Sequence, residues 1–117
     1  EADCAVLCDG KWTAEALYNV VGNAVKYTPS GGSVRLSATA LGQFCRIDVS
    51  DTGIGIPEVE QARIFQRFYR GQAVREQEGL GIGLYLTREI LSGQGGFVKV
   101  SSKAGRGSTF SLYLPRG

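Results

Sequence analysis

The 117-residue sequence contains no histidine, no long apolar run and no long run of lysine or arginine. The absence of histidine excludes serine–histidine–aspartate triads, cysteine–histidine nucleophiles and histidine-containing zinc sites. No apolar stretch approaches roughly 18 residues, the length that a membrane span needs, and the N-terminal Glu1, Ala2 and Asp3 lack the basic region of a signal peptide. A net charge of +2 without a basic cluster disfavours nucleic acid as a partner. We therefore expect a cytoplasmic domain that contacts neither nucleic acid nor membrane.

Cysteine is also scarce, because Cys4, Cys8 and Cys45 are the only three. An odd number without regular spacing argues against a disulfide framework, and zinc binding by Cys4 and Cys8 is disfavoured without histidine. We expect these thiols to lie buried or idle in a reducing compartment. With 43% hydrophobic and 21% charged residues, the composition and length fit a single globular domain over residues 1–117.

Periodic apolar patterns predict an α+β fold, with helices on one face of a mostly antiparallel sheet in a two-layer sandwich. Apolar residues at helical spacing indicate helices, and period-two alternation indicates strands. The predicted helices cover about Trp12–Lys26, Glu58–Phe65 and Ile82–Leu91, and the predicted strands run from Val34 to Ala40, Cys45 to Val49, Phe97 to Ser102 and Ser108 to Leu114.

One face of the first predicted helix carries three polar residues. Asn19 and Asn23 are four residues apart and Lys26 follows one turn later, so all three project from one side of the helix. Two asparagines in a helix are typical either of an exposed, solvated face or of a site where amide oxygens ligate Mg²⁺ while a lysine meets phosphate charge. The pattern alone leaves both interpretations open.

A second polar group follows the second predicted strand, in the segment DTGIGIP that starts at Asp51. Asp51 shares the alternation phase of Ile47 and Val49, which points its carboxylate toward the core, where it needs hydrogen-bond donors. An adenine amino group is one such donor, and Gly53 and Gly55 would let the backbone lie beside the base. A tight turn capped by its own aspartate is the alternative.

Glycine makes up 17 of the 117 residues, about twice its usual share of roughly 7%, and part of the excess lies in GLGIGL. Gly79, Gly81 and Gly83 run into a helix, whose N-terminal amides favour anions, although a flexible loop stem would have the same composition. The preceding IFQRFYRG combines aromatic residues with two arginines. This combination suits a loop that docks over an anionic ligand, or an exposed basic loop.

Taken in chain order, YNVVGNAVKYTP, DTGIGIP, IFQRFYRG, GLGIGL and GSTF resemble the catalytic ATP-binding domain of sensor histidine kinases, in the family with the Bergerat fold. The resemblance runs from Asp9 to Pro115. It implies a mixed, mostly antiparallel sheet of about five strands with three helices on one face, the chain beginning within the first strand. ATP and Mg²⁺ are the cofactors that it implies.

The same resemblance implies roles for individual residues. Asn23 would coordinate Mg²⁺, and Asn19 stands where ATP-hydrolysing relatives have a glutamate, which favours transfer over hydrolysis. Lys26 would contact phosphate, Arg70 would lie near the transferred phosphate, and Asp51 would accept the adenine amino hydrogen bond. Asn19, Asn23, Lys26 and Arg70 are thus the expected catalytic residues. The other expected nucleotide contacts are Tyr27, Gly53, Gly55, Ile56, Phe65, Phe68, Gly79, Leu80, Gly81, Gly83, Leu84 and Thr109. Strand alternation places Thr109 and Phe110 on opposite faces of the sheet. It leaves open which of these faces contacts the ligand.

The function that the resemblance implies is donation of the γ-phosphoryl group of Mg-ATP to a histidine on a separate helical dimerisation domain of the same kinase, and from there to a response regulator. That histidine-bearing hairpin is absent from the sequence, so we expect ATP binding with little turnover by this domain alone. The parent protein is expected to be anchored in the cell membrane. A nucleotide-sensing module without transfer and an anti-sigma-type serine kinase of the same fold are the alternatives.

Overall fold

A computed structural model describes residues 10–26, 28–61, 63–65 and 83–115. In chain order, the elements are α1 (Gly10–Lys26), β1 (Val34–Leu41), β2 (Phe44–Asp51), α2 (Glu58–Gln61), α3 (Gly83–Ser92), β3 (Phe97–Lys103) and β4 (Gly107–Pro115). They match the predicted helices and strands to within two residues at each end, except that α2 ends at Gln61 rather than near Phe65. The α+β prediction is therefore confirmed.

The four strands form one antiparallel sheet in the order β1-β2-β4-β3. Strand β4 thus lies between the two hairpins, and its register places Phe110 beside Val49 and Ser108 beside Asp51. The structure shows four strands in its described residues, where about five were expected. The expected first strand, within which the chain was predicted to begin, lies outside the described residues.

The helices cover one face of the sheet, with α1 over β2 and α3 over β3 and β4. Alternation on the inner strands points one set of side chains toward the helices, and this set forms the core because burying apolar surface is favourable. The fully or nearly fully buried members are Val20, Ala24, Val49, Ile64, Leu91, Phe110, Leu112 and Leu114. None of the helices in the described ranges is both long and apolar enough to cross a membrane.

The two long helices are also joined by hydrogen bonds. The Thr87 hydroxyl, fully buried on α3, donates to the Ala16 carbonyl of α1 at 3.3 Å. The Gln94 side chain, just after α3, donates to the Thr13 hydroxyl at 3.2 Å. These contacts fix α1 against α3 and so set the position of the polar face of α1.

The opposite face of the sheet, which we call the open face, is covered by none of the described helices and carries a polar network. Arg46 donates to one oxygen of Asp48 at 3.0 Å, and Ser111 donates to the other at 2.6 Å. The negative charge of Asp48 raises the pKa of Arg46 above its ordinary value, and a side-chain hydrogen bond between Arg46 and Tyr113 acts in the same direction. Charged and hydroxyl groups thus satisfy one another where the sheet faces water.

Cys45 differs from expectation. It is buried on β2 and disulfide-bonded, with its partner outside the described residues. The prediction of a free thiol is therefore wrong at this position, because the spacing of three cysteines along the chain does not show which of them approach in space.

Candidate nucleotide-binding site

Asp51 is the last residue of β2 and lies on the helix-facing side of the sheet, in phase with Val49. One carboxylate oxygen, Oδ1, accepts a hydrogen bond from the Gly53 backbone N–H at 2.8 Å. Within the described part of the chain this is the single hydrogen bond to that carboxylate. One oxygen of Asp51 therefore caps the turn, as the alternative interpretation predicted. The second oxygen is left to accept a hydrogen bond from a ligand.

The backbone of residues 51–57, which we call the 51–57 segment, lies against the turn between β3 and β4. Gly55 has φ of +72°, and a Cβ atom there would overlap the Lys103 carbonyl oxygen. Gly107 has φ of +97°, and a Cβ atom there would overlap the Asp51 carbonyl oxygen. Both positions need glycine for conformation and for space. At Gly55 the close backbone approach is made to the protein's own β3, and the predicted approach of the backbone to an adenine base stays a prediction.

Ser108 is a residue that the sequence-based site omitted. It is 7% exposed, stands beside Asp51 in the register, and faces the helices like Phe110 and Leu112. The alternation of β4 was the available signal, because it groups Ser108 with those apolar residues. Ser108 therefore places a hydroxyl next to the Asp51 carboxylate on the same side of the sheet.

Thr109, which the resemblance favoured, lies on the open face. Its hydroxyl is 2.9 Å from the hydroxyl of Ser50, its neighbour across the strand pair. The two side chains point away from Asp51, because successive residues of a strand alternate between faces. The structure thus brings Ser108, and not Thr109, together with Asp51.

The polar face of α1 is less exposed than a solvated helix face. Asn19 and Asn23 are both half-buried, and Lys26 is exposed at the end of the helix. The Nδ2 atom of Asn19 is buried and has no hydrogen-bond partner among the described residues. Leaving a buried amide donor unpaired costs about 1–3 kcal/mol, so this position favours a ligand that accepts a hydrogen bond.

Three other predicted contacts pack against the core that supports the site. Ile56, Phe65 and Leu84 are all half-buried beside the core cluster. The ring of Phe65 meets that of Phe110 edge-on, with 6.2 Å between centroids and an interplanar angle of 82°. Of the two predicted glycines elsewhere, Gly53 is buried in the bend after β2 and Gly83 begins α3.

The remaining expected contacts lie outside the described residues. They are Tyr27, Phe68, Arg70, Gly79, Leu80 and Gly81. Their predicted roles stay predictions.

A magnesium ion fits the donor set on α1 only in part. The described residues contain no group of three or more histidine, cysteine, aspartate or glutamate side chains that could hold a metal. Magnesium, however, commonly keeps several waters and binds through one or two protein ligands together with substrate phosphates. A single amide oxygen from Asn23 is compatible with that mode of binding.

These features are those of a two-layer nucleotide-binding domain. A two-layer domain has an asparagine-bearing helix on one side of its site and an aspartate followed by a glycine-rich turn on the other. Residues 8–117 match the family described as histidine kinase-, DNA gyrase B-, and HSP90-like ATPase. The chain belongs to this family.

Its relatives narrow the class to the ATP-binding domains of sensor histidine kinases. The adaptive-response sensory kinase SasA of Synechococcus sp. (strain JA-2-3B'a(2-13)) is 45% identical over 102 residues, which are 86% of this chain and 27% of SasA. The chain therefore corresponds to about a quarter of that relative's length.

Solved structures agree with this assignment. The mycobacterial sensor histidine kinase MprB is similar with a TM-score of 0.87 and 29% identity, covering 94% of this chain and 76% of that one. Full-length ShkA, solved in complex with AMPPNP, is similar with a TM-score of 0.81 and 36% identity, covering 94% of this chain and 22% of that one. The predicted family and fold are thus confirmed.

Proposed function

We propose that this domain binds Mg-ATP and donates the γ-phosphoryl group to a histidine on a separate helical domain of a two-component kinase. The observation that carries the proposal is the buried Nδ2 atom of Asn19, which has no hydrogen-bond partner among the described residues. An amide N–H in that position is matched by a phosphate oxygen, since a charged acceptor gives a hydrogen bond about twice as strong as a neutral one. The family and the AMPPNP complex of ShkA support the choice of a nucleoside triphosphate.

Asn23 is the residue that we propose to hold magnesium. It lies one helical turn after Asn19 and is half-buried on the same face. Magnesium, when bound, neutralises charge on the phosphate oxygens. Asn23 then orients the phosphates, and Lys26 at the end of α1 adds positive charge near them. Phosphoryl transfer depends on such positioning and charge stabilisation more than on covalent chemistry by the protein.

The base is placed at the other end of the site. The second oxygen of Asp51 accepts the adenine amino hydrogen, while Oδ1 stays on the Gly53 amide. Ser108 supplies a second polar group next to Asp51. Adenine is favoured over guanine because a carboxylate is an acceptor and the corresponding atom of guanine is an oxygen, which is also an acceptor.

Transfer is favoured over hydrolysis by the residue type at position 19. An amide cannot take a proton from water near neutral pH, so Asn19 cannot act as a general base. We therefore expect the isolated domain to bind ATP with little turnover. The phosphoryl acceptor and the response regulator are parts of the proposal that the histidine kinase relatives support. We propose membrane anchorage of the parent protein from the resemblance.

The experiment is to mix this domain with the histidine-bearing helical domain of its kinase and γ-labelled ATP, and to follow label on the histidine. Replacing Asn23→Ala should reduce the transfer rate by about 100-fold, the typical effect of losing one charge-stabilising group. Gly22→Ala is the matched control, because position 22 is exposed on the same helix and a Cβ atom there meets nothing within 4 Å.

Two outcomes would count against the proposal. Normal ATP binding without any label on the histidine would leave a nucleotide-sensing module in its place. Transfer at an unchanged rate in Asn23→Ala would remove Asn23 from the magnesium site.

A further inference from the structure

Ser102 of β3 lies outside the predicted nucleotide contacts, and its hydroxyl stands at the centre of a hydrogen-bond network. Its Oγ accepts from the Ile56 backbone N–H at 2.8 Å, donates to the Gly107 carbonyl at 2.9 Å, and lies 2.8 Å from the Ser108 hydroxyl. Ser102 also stands directly opposite Ser108 in the β3–β4 register. One side chain therefore connects the 51–57 segment to the strand that carries Ser108.

Hydrogen counting fixes the direction of the bond between the two serines. A hydroxyl has one hydrogen to donate and two lone pairs to accept with. Ser102 uses its hydrogen on the Gly107 carbonyl and one lone pair on the Ile56 N–H, so Ser108 must donate to it. Ser108 is left with its lone pairs, and it can offer a ligand or a bound water only acceptors.

Gln61 of α2 reinforces the same connection. Its Nε2 group donates to the Ile56 carbonyl at 2.9 Å and to the Ser102 carbonyl at 2.9 Å. Both hydrogens of the amide are thereby used, one on the 51–57 segment and one on β3. A third tie joins the same regions, because the Gly105 N–H donates to the Ile54 carbonyl at 2.6 Å.

We propose that Ser102 and Gln61 are positioning residues that set adenine specificity, Ser102 by holding Ser108 as a hydrogen-bond acceptor and both by fixing Ile56 beside the base. This inference rests on the proposed function, since it concerns the same site. With Asp51 and Ser108 both acceptors, the base edge between them must present donors. The adenine amino group does so directly, whereas the guanine oxygen does not.

The test measures dissociation constants for ATP and GTP by titration calorimetry with the intact chain. In Ser102→Ala, the Ser108 hydroxyl loses its acceptor and is free to donate to a guanine oxygen. We expect ATP affinity to fall about 10-fold and the ATP-over-GTP ratio to fall by a similar factor. Gln61→Met keeps the length of the side chain and removes both donors, and should lower ATP affinity by a smaller factor. Ser101→Ala, on the neighbouring exposed residue of β3, is the matched control.

The ratio separates positioning from simple stabilisation. A variant that only populates the unfolded state more would weaken both nucleotides by the same factor and leave their ratio unchanged. Amide hydrogen exchange provides a second measurement in the absence of nucleotide, where the Ile56 N–H should exchange faster in Ser102→Ala than in Ser101→Ala. If Ser102→Ala does not fold, Gln61→Met and the same Ile56 exchange carry the test.

Two results overturn different claims. If the wild-type chain and Ser101→Ala bind ATP selectively and Ser102→Ala keeps the same ATP-over-GTP ratio, the positioning role is overturned while the proposed function stands. If the wild-type chain binds neither nucleotide, the proposed function itself fails.

Discussion

The 51–57 segment and the asparagine face of α1 lie at two sides of one site and differ in how their polar groups are satisfied. In the 51–57 segment, Asp51, Ile54 and Ile56 each have a hydrogen-bond partner within the protein. On α1, the buried Nδ2 atom of Asn19 has none in the described part of the chain. In the first region these groups are paired within the protein and one Asp51 oxygen is left for a ligand, whereas in the second a buried donor has no partner among the described residues.

This difference has a physical reason in what each region would bind. A base is recognised by a few directional hydrogen bonds and close packing, so a rigid surface whose other polar groups are already paired loses little entropy on binding. Phosphates are charged hydrogen-bond acceptors. An unpaired buried donor destabilises the empty site, and a phosphate oxygen that accepts from this donor removes the destabilisation on binding. The 51–57 segment, on the side of the base, is therefore rigid, and the asparagine face of α1, on the side of the phosphates, keeps a donor that is unpaired within the described ranges.

The largest expected effect tests the base side. Asp51→Asn should weaken ATP binding by about 1–3 kcal/mol, because an amide NH₂ would face the adenine amino group in place of an acceptor. Titration calorimetry with ATP measures the change. Asp48→Asn is the control, since Asp48 is a carboxylate on the same strand that faces the open side and contacts Arg46 and Ser111. Unchanged ATP affinity in Asp51→Asn would place the base elsewhere.

A smaller effect tests how rigidly the 51–57 segment is held. Gly55→Ala should lower the free energy of unfolding by about 1–2 kcal/mol, because the added Cβ atom meets the Lys103 carbonyl and φ is +72°. Urea denaturation gives this value. Gly42→Ala separates the two causes, since Gly42 has φ of +64° but open space around it. Equal losses in both variants would mean that backbone strain, and not the close approach to β3, explains the need for glycine.

The elements of the fold were predictable because their signals are local. Alternation along β2 placed Asp51 on the same face as Val49, and that placement is confirmed. The same alternation along β4 would have identified Ser108, but the resemblance pointed to Thr109, one residue away and on the other face. The role of Ser102 was not accessible at all, because its bond to the Ile56 amide joins residues 46 apart in the chain. A contact at that distance depends on the strand order, which periodicity does not give.

The smallest effect tests the asparagine face of α1. The sign of the change in ligand-free stability distinguishes this face from the 51–57 segment. Asn19→Leu removes a buried donor that has no partner within the ranges that the structure describes, and it introduces a better helix former. The ligand-free domain should therefore become more stable by about 0.5–1 kcal/mol. The same change should weaken ATP binding, because the phosphate loses its donor. Gly22→Ala should stabilise the helix by a similar amount through propensity alone and leave ATP binding unchanged, since position 22 is exposed and open. Thermal and urea unfolding without nucleotide, together with ATP titration, measure both variants. A loss of ligand-free stability in Asn19→Leu would show that the Asn19 amide is already satisfied in the empty site, and the contrast between the two sides would then disappear.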